Sequence, residues 1–196
     1  MRVVVTEFMS LDGVVQAPGG EDEDRDGGFA HGGWSHPFFD VEAMGAALGE
    51  ASAATDGLLF GRRTYDTMAG AWPDRAGDPF ADDMNSVAKY VVSSTYTQDD
   101  LTWNNSTLLP SDDVVGAIRA LKARPGGDIS VMGSTSVARL CVEHDLVDEY
   151  LLMIEPIMLG GGKRIFPEDG RSRTLELVTS TVASTGVIIC TYRPAG

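Results

Sequence analysis

Residues 58–65 read Leu58-Leu59-Phe60-Gly61-Arg62-Arg63-Thr64-Tyr65, a short apolar run that passes through one glycine into a polar run. Residues 129–136 have the same form, Ile129-Ser130-Val131-Met132-Gly133-Ser134-Thr135-Ser136. A short apolar run that ends at glycine is typical of a buried strand, and a hydroxyl side chain soon after it favours the start of a helix. Both stretches therefore predict a strand that turns at glycine directly into a helix.

Further strands and helices are predicted around these two units. The spacing of apolar residues predicts a strand at 2–9 and a helix at about 38–54. The other predicted elements are strands at 88–94, 106–109 and 149–158, a helix after Ser111-Asp112-Asp113, and an antiparallel hairpin within 174–193. Strands that alternate with helices and close with a hairpin predict an α/β fold, with a mostly parallel central sheet and an antiparallel C-terminal hairpin.

The length and charge of the chain exclude several functions. At 196 residues the chain is long enough for one well-cored domain, which we expect to span residues 1–196. Fifteen Lys and Arg against 29 Asp and Glu give a formal net charge of −14, which opposes binding to nucleic acid or to an anionic membrane surface. The sequence has neither an apolar run of membrane-spanning length nor a signal-peptide pattern, so we expect a cytoplasmic protein.

The two glycine turns are candidate anion-binding sites. A strand that stops at glycine and enters a helix points unpaired backbone N–H groups outward, where the helix dipole also favours negative charge. One such turn alone is more typical of a simple helix cap, but two at one sheet edge indicate a dinucleotide stretched across that edge. Neither turn has the G-x-G-x-x-G pattern of an ordinary Rossmann domain. The candidate cofactor-binding residues are Gly61, Arg62, Arg63, Thr64, Ser93, Ser94, Gly133, Ser134, Thr135 and Ser136.

The acidic, glycine-rich stretch 17–36 predicts a long exposed loop. Asp22, Asp24 and Asp26 resemble the first half of a calcium loop, but Gly33 stands where the bidentate Glu should fall. We therefore predict no metal site, and we interpret the loop as a candidate lid over a ligand.

Six motifs in chain order carry a resemblance to a known family. They are Ser10-Leu11-Asp12-Gly13, Gly61-Arg62-Arg63-Thr64-Tyr65, residues 89–94, Gly133-Ser134, Leu146-Val147-Asp148-Glu149 and residues 156–166. In this order they resemble the dihydrofolate reductase-like proteins related to the reductase domain of riboflavin biosynthesis. The resemblance covers nearly the whole chain, and it implies a dihydrofolate reductase-like three-layer sandwich, NADPH as cofactor and a homodimer. Apolar residues on both parities of the strand at 150–158 predict a dimer surface built on this strand and its neighbours.

Positions in the cofactor site follow from the same resemblance. It implies that residues 61–64 meet the adenosine phosphates and that residues 133–136 cradle the pyrophosphate. Ser93 and Ser94 would lie beside the ribose 2′-phosphate.

Two acids are candidate catalytic residues. The resemblance implies that Asp12, with Ser10, borders the loop over the nicotinamide. Folate reductases carry a carboxylate in the first helix, but the corresponding stretch here, near Met44-Gly45, holds no acid. Asp40 and Glu42 lie about one turn earlier and are the nearest acids, although an acid there is also typical of a solvated first helical turn. Of the two, Asp40 is the candidate catalytic residue.

These expectations lead to two functional hypotheses. The first is an NADPH-dependent reductase that transfers a hydride to a small planar heterocycle or carbonyl. The substrate would resemble that of dihydrofolate reductase or of the riboflavin-pathway 5-amino-6-(5-phosphoribosylamino)uracil reductase. The zinc ligands of the deaminase to which the riboflavin enzyme is commonly fused are absent from this sequence. The alternative hypothesis is a non-catalytic NADP(H)-binding protein.

Overall fold

Eight strands form one sheet in the computed structural model, which describes residues 1–75 and 77–196. They are β1 (Arg2–Ser10), β2 (Thr55–Gly61), β3 (Ala88–Val92), β4 (Ser106–Leu109), β5 (Asp128–Met132), β6 (Glu149–Glu155), β7 (Leu175–Val182) and β8 (Ile188–Pro194). The order across the sheet is β4-β3-β2-β5-β1-β6-β8-β7. Neighbouring strands pair in parallel across the first six positions of this order, which are β4, β3, β2, β5, β1 and β6. Strand β8 is antiparallel to both β6 and β7. The predicted fold class is confirmed.

Helices cover both faces of the sheet because its strands are apolar on both parities. The helices are α1 (Ala43–Ala54), α2 (Arg62–Ala71), α3 (Pro79–Ser86), α4 (Val114–Lys122) and α5 (Thr135–Glu143). On β2, Leu59 packs in the core under α4 and α5, while its neighbours Leu58 and Phe60 pack in the core under α2 and α3. The sheet thus lies between two helical layers, as in the predicted sandwich. No helix in the described ranges has the length and apolarity needed to cross a membrane.

The first helix begins later than the apolar spacing predicts. Residues His36–Phe38 form a 3-10 turn, and Phe39 is extended, with φ −65° and ψ 114°. An extended residue cannot belong to a helix, so α1 begins only at Ala43. Asp40 supports this start, because its Oδ1 accepts a hydrogen bond from the Ala43 N–H at 2.9 Å. The position of a helix start depends on this local backbone geometry, which side-chain periodicity does not report.

Strand β6 lies inside the sheet, between β1 and β8, and this corrects the part of the predicted dimer surface that lies on the strand itself. Tyr150 and Leu152 belong to the core under α4 and α5, whereas Leu151 and Met153 pack with Met44 of α1. Burial on both faces therefore explains the apolar residues on both parities. The strand also ends at Glu155, before a proline that has no N–H for a ladder bond. The homodimer itself stays a prediction.

Candidate functional site

The two glycine turns lie side by side because they follow the neighbouring strands β2 and β5. Side-chain hydrogen bonds join them directly. The Gly61 N–H donates to Ser134 Oγ at 2.9 Å, and the Ser134 N–H donates to Thr64 Oγ1 at 3.1 Å. Gly133 and Ser134 both have positive φ, at 62° and 53°. A left-handed backbone is unfavourable for serine, so these two hydrogen bonds help to hold the turn in shape.

Helices α2 and α5 both begin at this junction, and neither has a side-chain hydrogen bond capping its start. The first backbone N–H groups of a helix have no partner within the helix. Together with the dipole, they make each start favourable for an anion. Two such starts, locked to each other, can bind a ligand that carries two phosphate groups.

The turn after β3 continues this edge. Ser93 Oγ accepts hydrogen bonds from the Thr95 N–H at 3.2 Å and from the Tyr96 N–H at 3.0 Å, which fixes the turn. The guanidinium of Arg62 lies 5.6 Å from the centre of the Tyr96 ring. Arg62 therefore stands between the β2 turn and the β3 turn, where Ser94 is exposed.

A cavity of about 1730 Å³ extends along this edge of the sheet. Ligand pockets for single small molecules are typically about 300–1,000 Å³, so this cavity has room for a dinucleotide and a second molecule. The predicted cofactor-binding residues that line it are Gly61, Arg62, Arg63, Thr64, Ser93, Ser94, Gly133, Ser134, Thr135 and Ser136. Every one of the ten is included.

Acids of the 17–36 loop reach the cations of the cavity. Asp26 pairs with Arg63 and with Lys163, whose Nζ lies 2.9 Å from Asp26 Oδ2. Asp24 also pairs with Lys163. The hydrogen bonds from Arg63 and Lys163 lower the pKa of Asp26 to about 2. Ion pairs therefore hold the loop against the wall of the cavity. One of these pairs uses Arg63, which is predicted to bind a phosphate of the cofactor.

Helix α1 forms another wall of the cavity. The residues that line it recur at helical spacing and are mostly small: Gly45, Leu48, Gly49 and Ser52. No atom lies within 4 Å of a Cβ added at Gly45 or Gly49, because both face open space. No acid belongs to this lining stretch of α1. Phe8 and Phe39, whose ring centres are 6.4 Å apart, also line the cavity. This wall is apolar and suits a flat ring.

The register of β1 leaves part of its edge unpaired at the cavity. Pairing between β1 and β5 ends at Thr6 and Met132, whereas pairing between β1 and β6 continues to Ser10 and Glu155. Beyond Thr6, the backbone of β1 on the β5 side therefore has no strand partner. Glu7 and Phe8 of this segment line the cavity.

Glu7 is a candidate functional residue that the sequence analysis missed. Its side chain is 2% exposed, and its Oε1 has no hydrogen-bond partner among the described residues. Burial raises the pKa of Glu7 well above its ordinary value, and the nearby Glu23 raises it further. The available signal was one acid inside the apolar strand Val-Val-Val-Thr-Glu-Phe-Met at 3–9. A charged residue in a buried strand is rare unless it is paired or functional.

The predicted catalytic acids have other contacts. Asp40 accepts hydrogen bonds from the N–H and Oγ of Ser184, at 3.0 and 2.6 Å, and from Ala43. Those bonds, Ser184 first, lower the pKa of Asp40 to about 2. It does not belong to the residues lining the cavity. These contacts favour a helix cap that joins α1 to the β7–β8 turn, so a catalytic role for Asp40 is not supported by its position.

Asp12 organises the loops beside β1. Its carboxylate accepts hydrogen bonds from Ser10 Oγ at 2.7 Å and from the N–H groups of Leu159 and Gly160 at 3.1 and 2.9 Å. The bond from Ser10 is the main reason that the pKa of Asp12 is lowered to about 2. Asp12 is an ionised loop anchor in this arrangement, and its predicted catalytic role stays a prediction.

The chain is similar to a described protein family and to one curated protein. The family model of the RibD C-terminal domain matches residues 1–189. YyaP, an uncharacterized protein of Bacillus subtilis strain 168, is 30% identical over 142 residues, which cover 70% of this chain and 73% of that protein. Both glycine turns fall within the region that the family model matches.

Solved structures share the fold at low sequence identity. A putative riboflavin biosynthesis protein from Shewanella sp. PV-4 is 22% identical, with a TM-score of 0.76 and full coverage of both chains. A pyrimidine reductase-like protein from Corynebacterium diphtheriae is 17% identical, with a TM-score of 0.67, and the match covers all of this chain and 92% of that one. The likeness supports the architecture of strands and helices described above.

Proposed function

The chain belongs to the family of RibD C-terminal domains, and from this membership we propose that it is an NADPH-dependent reductase of a small planar heterocycle or carbonyl compound. The observation that carries the proposal is the pair of uncapped helix starts, at Arg62 and Thr135, locked together by Ser134 and opening into one large cavity. Such an edge suits the pyrophosphate of a dinucleotide.

The chain's own residues would hold the cofactor in a defined order along the edge. Residues 133–136 and 61–64 would bind the phosphates through backbone N–H groups and hydroxyls. Arg62, Ser93 and Ser94 would bind the 2′-phosphate, since Arg62 stands beside the β3 turn. The unpaired backbone N–H and C=O groups of β1 at Glu7 and Phe8 would hydrogen-bond to the amide group of the nicotinamide. When bound, NADPH supplies the hydride.

The remaining walls would bind the acceptor. The face of α1 with Gly45 and Gly49, together with Phe8 and Phe39, leaves an apolar space beside β1. Hydride transfer needs the acceptor carbon close to the donor in a water-poor site. The 17–36 loop, which also lines the cavity, would exclude water from one side.

Cofactor choice tests the proposal. Titration by fluorescence should show NADPH binding more tightly than NADH. Arg62→Ala should weaken NADPH roughly ten- to a hundredfold, because a charge-assisted contact to the 2′-phosphate is lost, and should leave NADH nearly unchanged. Arg171→Ala is the matched control, since Arg171 pairs with Asp145 and does not line the cavity. Equal affinity of the parent for both nucleotides, unchanged in Arg62→Ala, would contradict the proposal.

Turnover separates the two hypotheses. NADPH oxidation should be measured with pterins, quinones and pyrimidine amines as acceptors. Oxidation that depends on one acceptor class supports the reductase. Tight NADPH binding without turnover on any acceptor would instead support the non-catalytic NADP(H)-binding protein.

A further inference from the structure

Glu7 is an acid without an evident structural purpose. It sits in β1 on the same face of the sheet as Val5 and Met9, both of which are buried in the core under α4 and α5. Its Oε1 finds no hydrogen-bond donor, and no cation forms an ion pair with it, within the described residues. An unpartnered buried carboxyl is costly, so a purely structural position would be filled more stably by an apolar side chain.

The position of Glu7 in β1 brings its side chain to the large cavity. It is the first residue of β1 beyond the last pair with β5, so it stands next to the turn at 133–136. It also lines the large cavity. Its side chain therefore meets the cavity at the point where the unpaired edge of β1 begins.

The surroundings of Glu7 favour its protonated form. Glu23, from the 17–36 loop, is the charged group that acts on Glu7, and a like charge disfavours ionisation. The other acids of that loop on the cavity wall, Asp24 and Asp26, are paired with Lys163 and Arg63. Those two cations are thus occupied and form no ion pair with Glu7. A neutral carboxyl has an O–H that can donate a hydrogen bond.

We propose that Glu7 is the proton donor of the reaction, acting from β1 on an acceptor bound in the cavity. This inference rests on the proposed reductase function. The hydride of NADPH forms a new C–H bond and the π bond of the acceptor's C=O or C=N breaks, so the acceptor is reduced and NADPH is oxidised. The electron pair left on the oxygen or nitrogen takes the proton from the Glu7 carboxyl. Water entering the open cavity then returns a proton to the Glu7 carboxylate.

The test compares Glu7→Gln with Glu50→Gln. Glutamine keeps the size and hydrogen-bonding groups of Glu7 but has no acidic proton, while Glu50→Gln removes an exposed acid of α1 that does not line the cavity and should react like the parent. The acceptor is para-nitrobenzaldehyde, and single-turnover oxidation of NADPH is followed over a range of pH. Positioned acids contribute roughly a hundredfold or more, so Glu7→Gln should lose at least that much rate. It should also lose the fall in rate that the parent shows as pH rises.

Two further measurements make the result specific. The dissociation constant of NADPH should be unchanged in Glu7→Gln, because the variant lacks only a proton donor. Glu7→Asp should keep the pH dependence at a reduced rate, since it retains a shorter acid. A Glu7→Gln protein that reacts within about threefold of the parent, with the same pH profile, overturns the role of Glu7 while leaving the reductase proposal intact. A parent that binds NADPH but reduces no acceptor overturns the reductase proposal and this inference with it.

Discussion

Burial of a single carboxyl at Glu155 makes the stability of the fold depend on pH. Glu155 is fully buried, its Oε1 accepts a hydrogen bond from Ser35 Oγ at 2.6 Å, and its Oε2 has no partner among the described residues. Burial outweighs that bond and raises the pKa to about 7, from an ordinary 4.5. Above the ordinary value the unfolded chain ionises while the native chain holds its proton, so stability falls as pH rises from 4.5 to 7.

Replacing Glu155 with glutamine should remove this part of the pH dependence. The shift corresponds to a loss of up to roughly 3 kcal/mol by about pH 8. Urea unfolding at about pH 4.5 and about pH 8 should therefore show a smaller difference in free energy for Glu155→Gln than for the parent. Glu50→Gln, at an exposed position of α1, is the control and should match the parent. A Glu155→Gln protein with the parent's full pH dependence would show that burial of this carboxyl is not the cause.

Sequence patterns identify a functional side chain only where its partners are close to it in the chain. The glycines and hydroxyls of the two turns could be identified because their chemistry is local to a few consecutive residues. Asp40 could not be interpreted in that way, since its partner Ser184 is 144 residues away. Glu7 carries a local signal, an acid in an apolar strand, but only the register of β1 against β5 brings it beside the turn at 133–136.

The acidic 17–36 loop competes for a cation that the cofactor would use. Asp26 holds Arg63, and a phosphate on Arg63 would have to displace that carboxylate. Asp26→Asn should therefore strengthen NADPH binding by about two- to fivefold, the range typical of an exposed ion pair. Titration of NADPH measures the change, and Asp22→Asn, whose carboxylate pairs with Arg25, is the control. Weaker binding in Asp26→Asn would show that the loop assists the cofactor instead.

The residues of helix α1 that line the cavity influence which substrates the protein can reduce. Its cavity wall consists of Gly45, Leu48, Gly49 and Ser52, with no carboxyl group to orient a pterin, and the proposed proton donor, Glu7, acts from β1 instead. We therefore expect dihydrofolate to be a poor substrate, with kcat/KM several orders of magnitude below the roughly 10⁴–10⁸ M⁻¹s⁻¹ usual for enzymes. A steady-state assay with NADPH checks this. A value inside the usual range would show that an acid outside α1 serves the pterin.

The ends of strands and helices can be predicted only where a few consecutive residues determine them. The strands of the glycine units and the hairpin follow from runs and alternation of apolar residues, and the observed sheet contains them. The start of α1 is set by the extended backbone at Phe39, and α3 was not predicted although Asp78 caps it by accepting from the Phe80 and Ala81 N–H groups. Strand order was also beyond the sequence, because β1 lies between two strands that follow it by more than 100 residues.

The eight-stranded sheet ends in an uncovered strand. β7 is the edge strand and is exposed along nearly its full length. Leu177 is 54% exposed and Val182 70%, while Ile188 of the neighbouring β8 is 43% exposed. An edge strand of eight residues with apolar side chains favours association, because both its backbone groups and its apolar surface lack cover.

We propose that the homodimer forms through this β7–β8 hairpin and not through β6. A second copy of the chain is the simplest partner for this edge. Two identical edges can meet about a twofold axis, so that the same residues of both copies form the interface. Sedimentation at micromolar concentration should show a dimer for the parent and a monomer for the double variant Leu177→Glu with Val182→Glu, since two buried charges would oppose contact. Leu11→Glu, at a 64% exposed position in the loop after β1 that does not line the cavity, should stay dimeric. A monomeric parent, or a double variant that remains dimeric, would place the interface elsewhere or remove it.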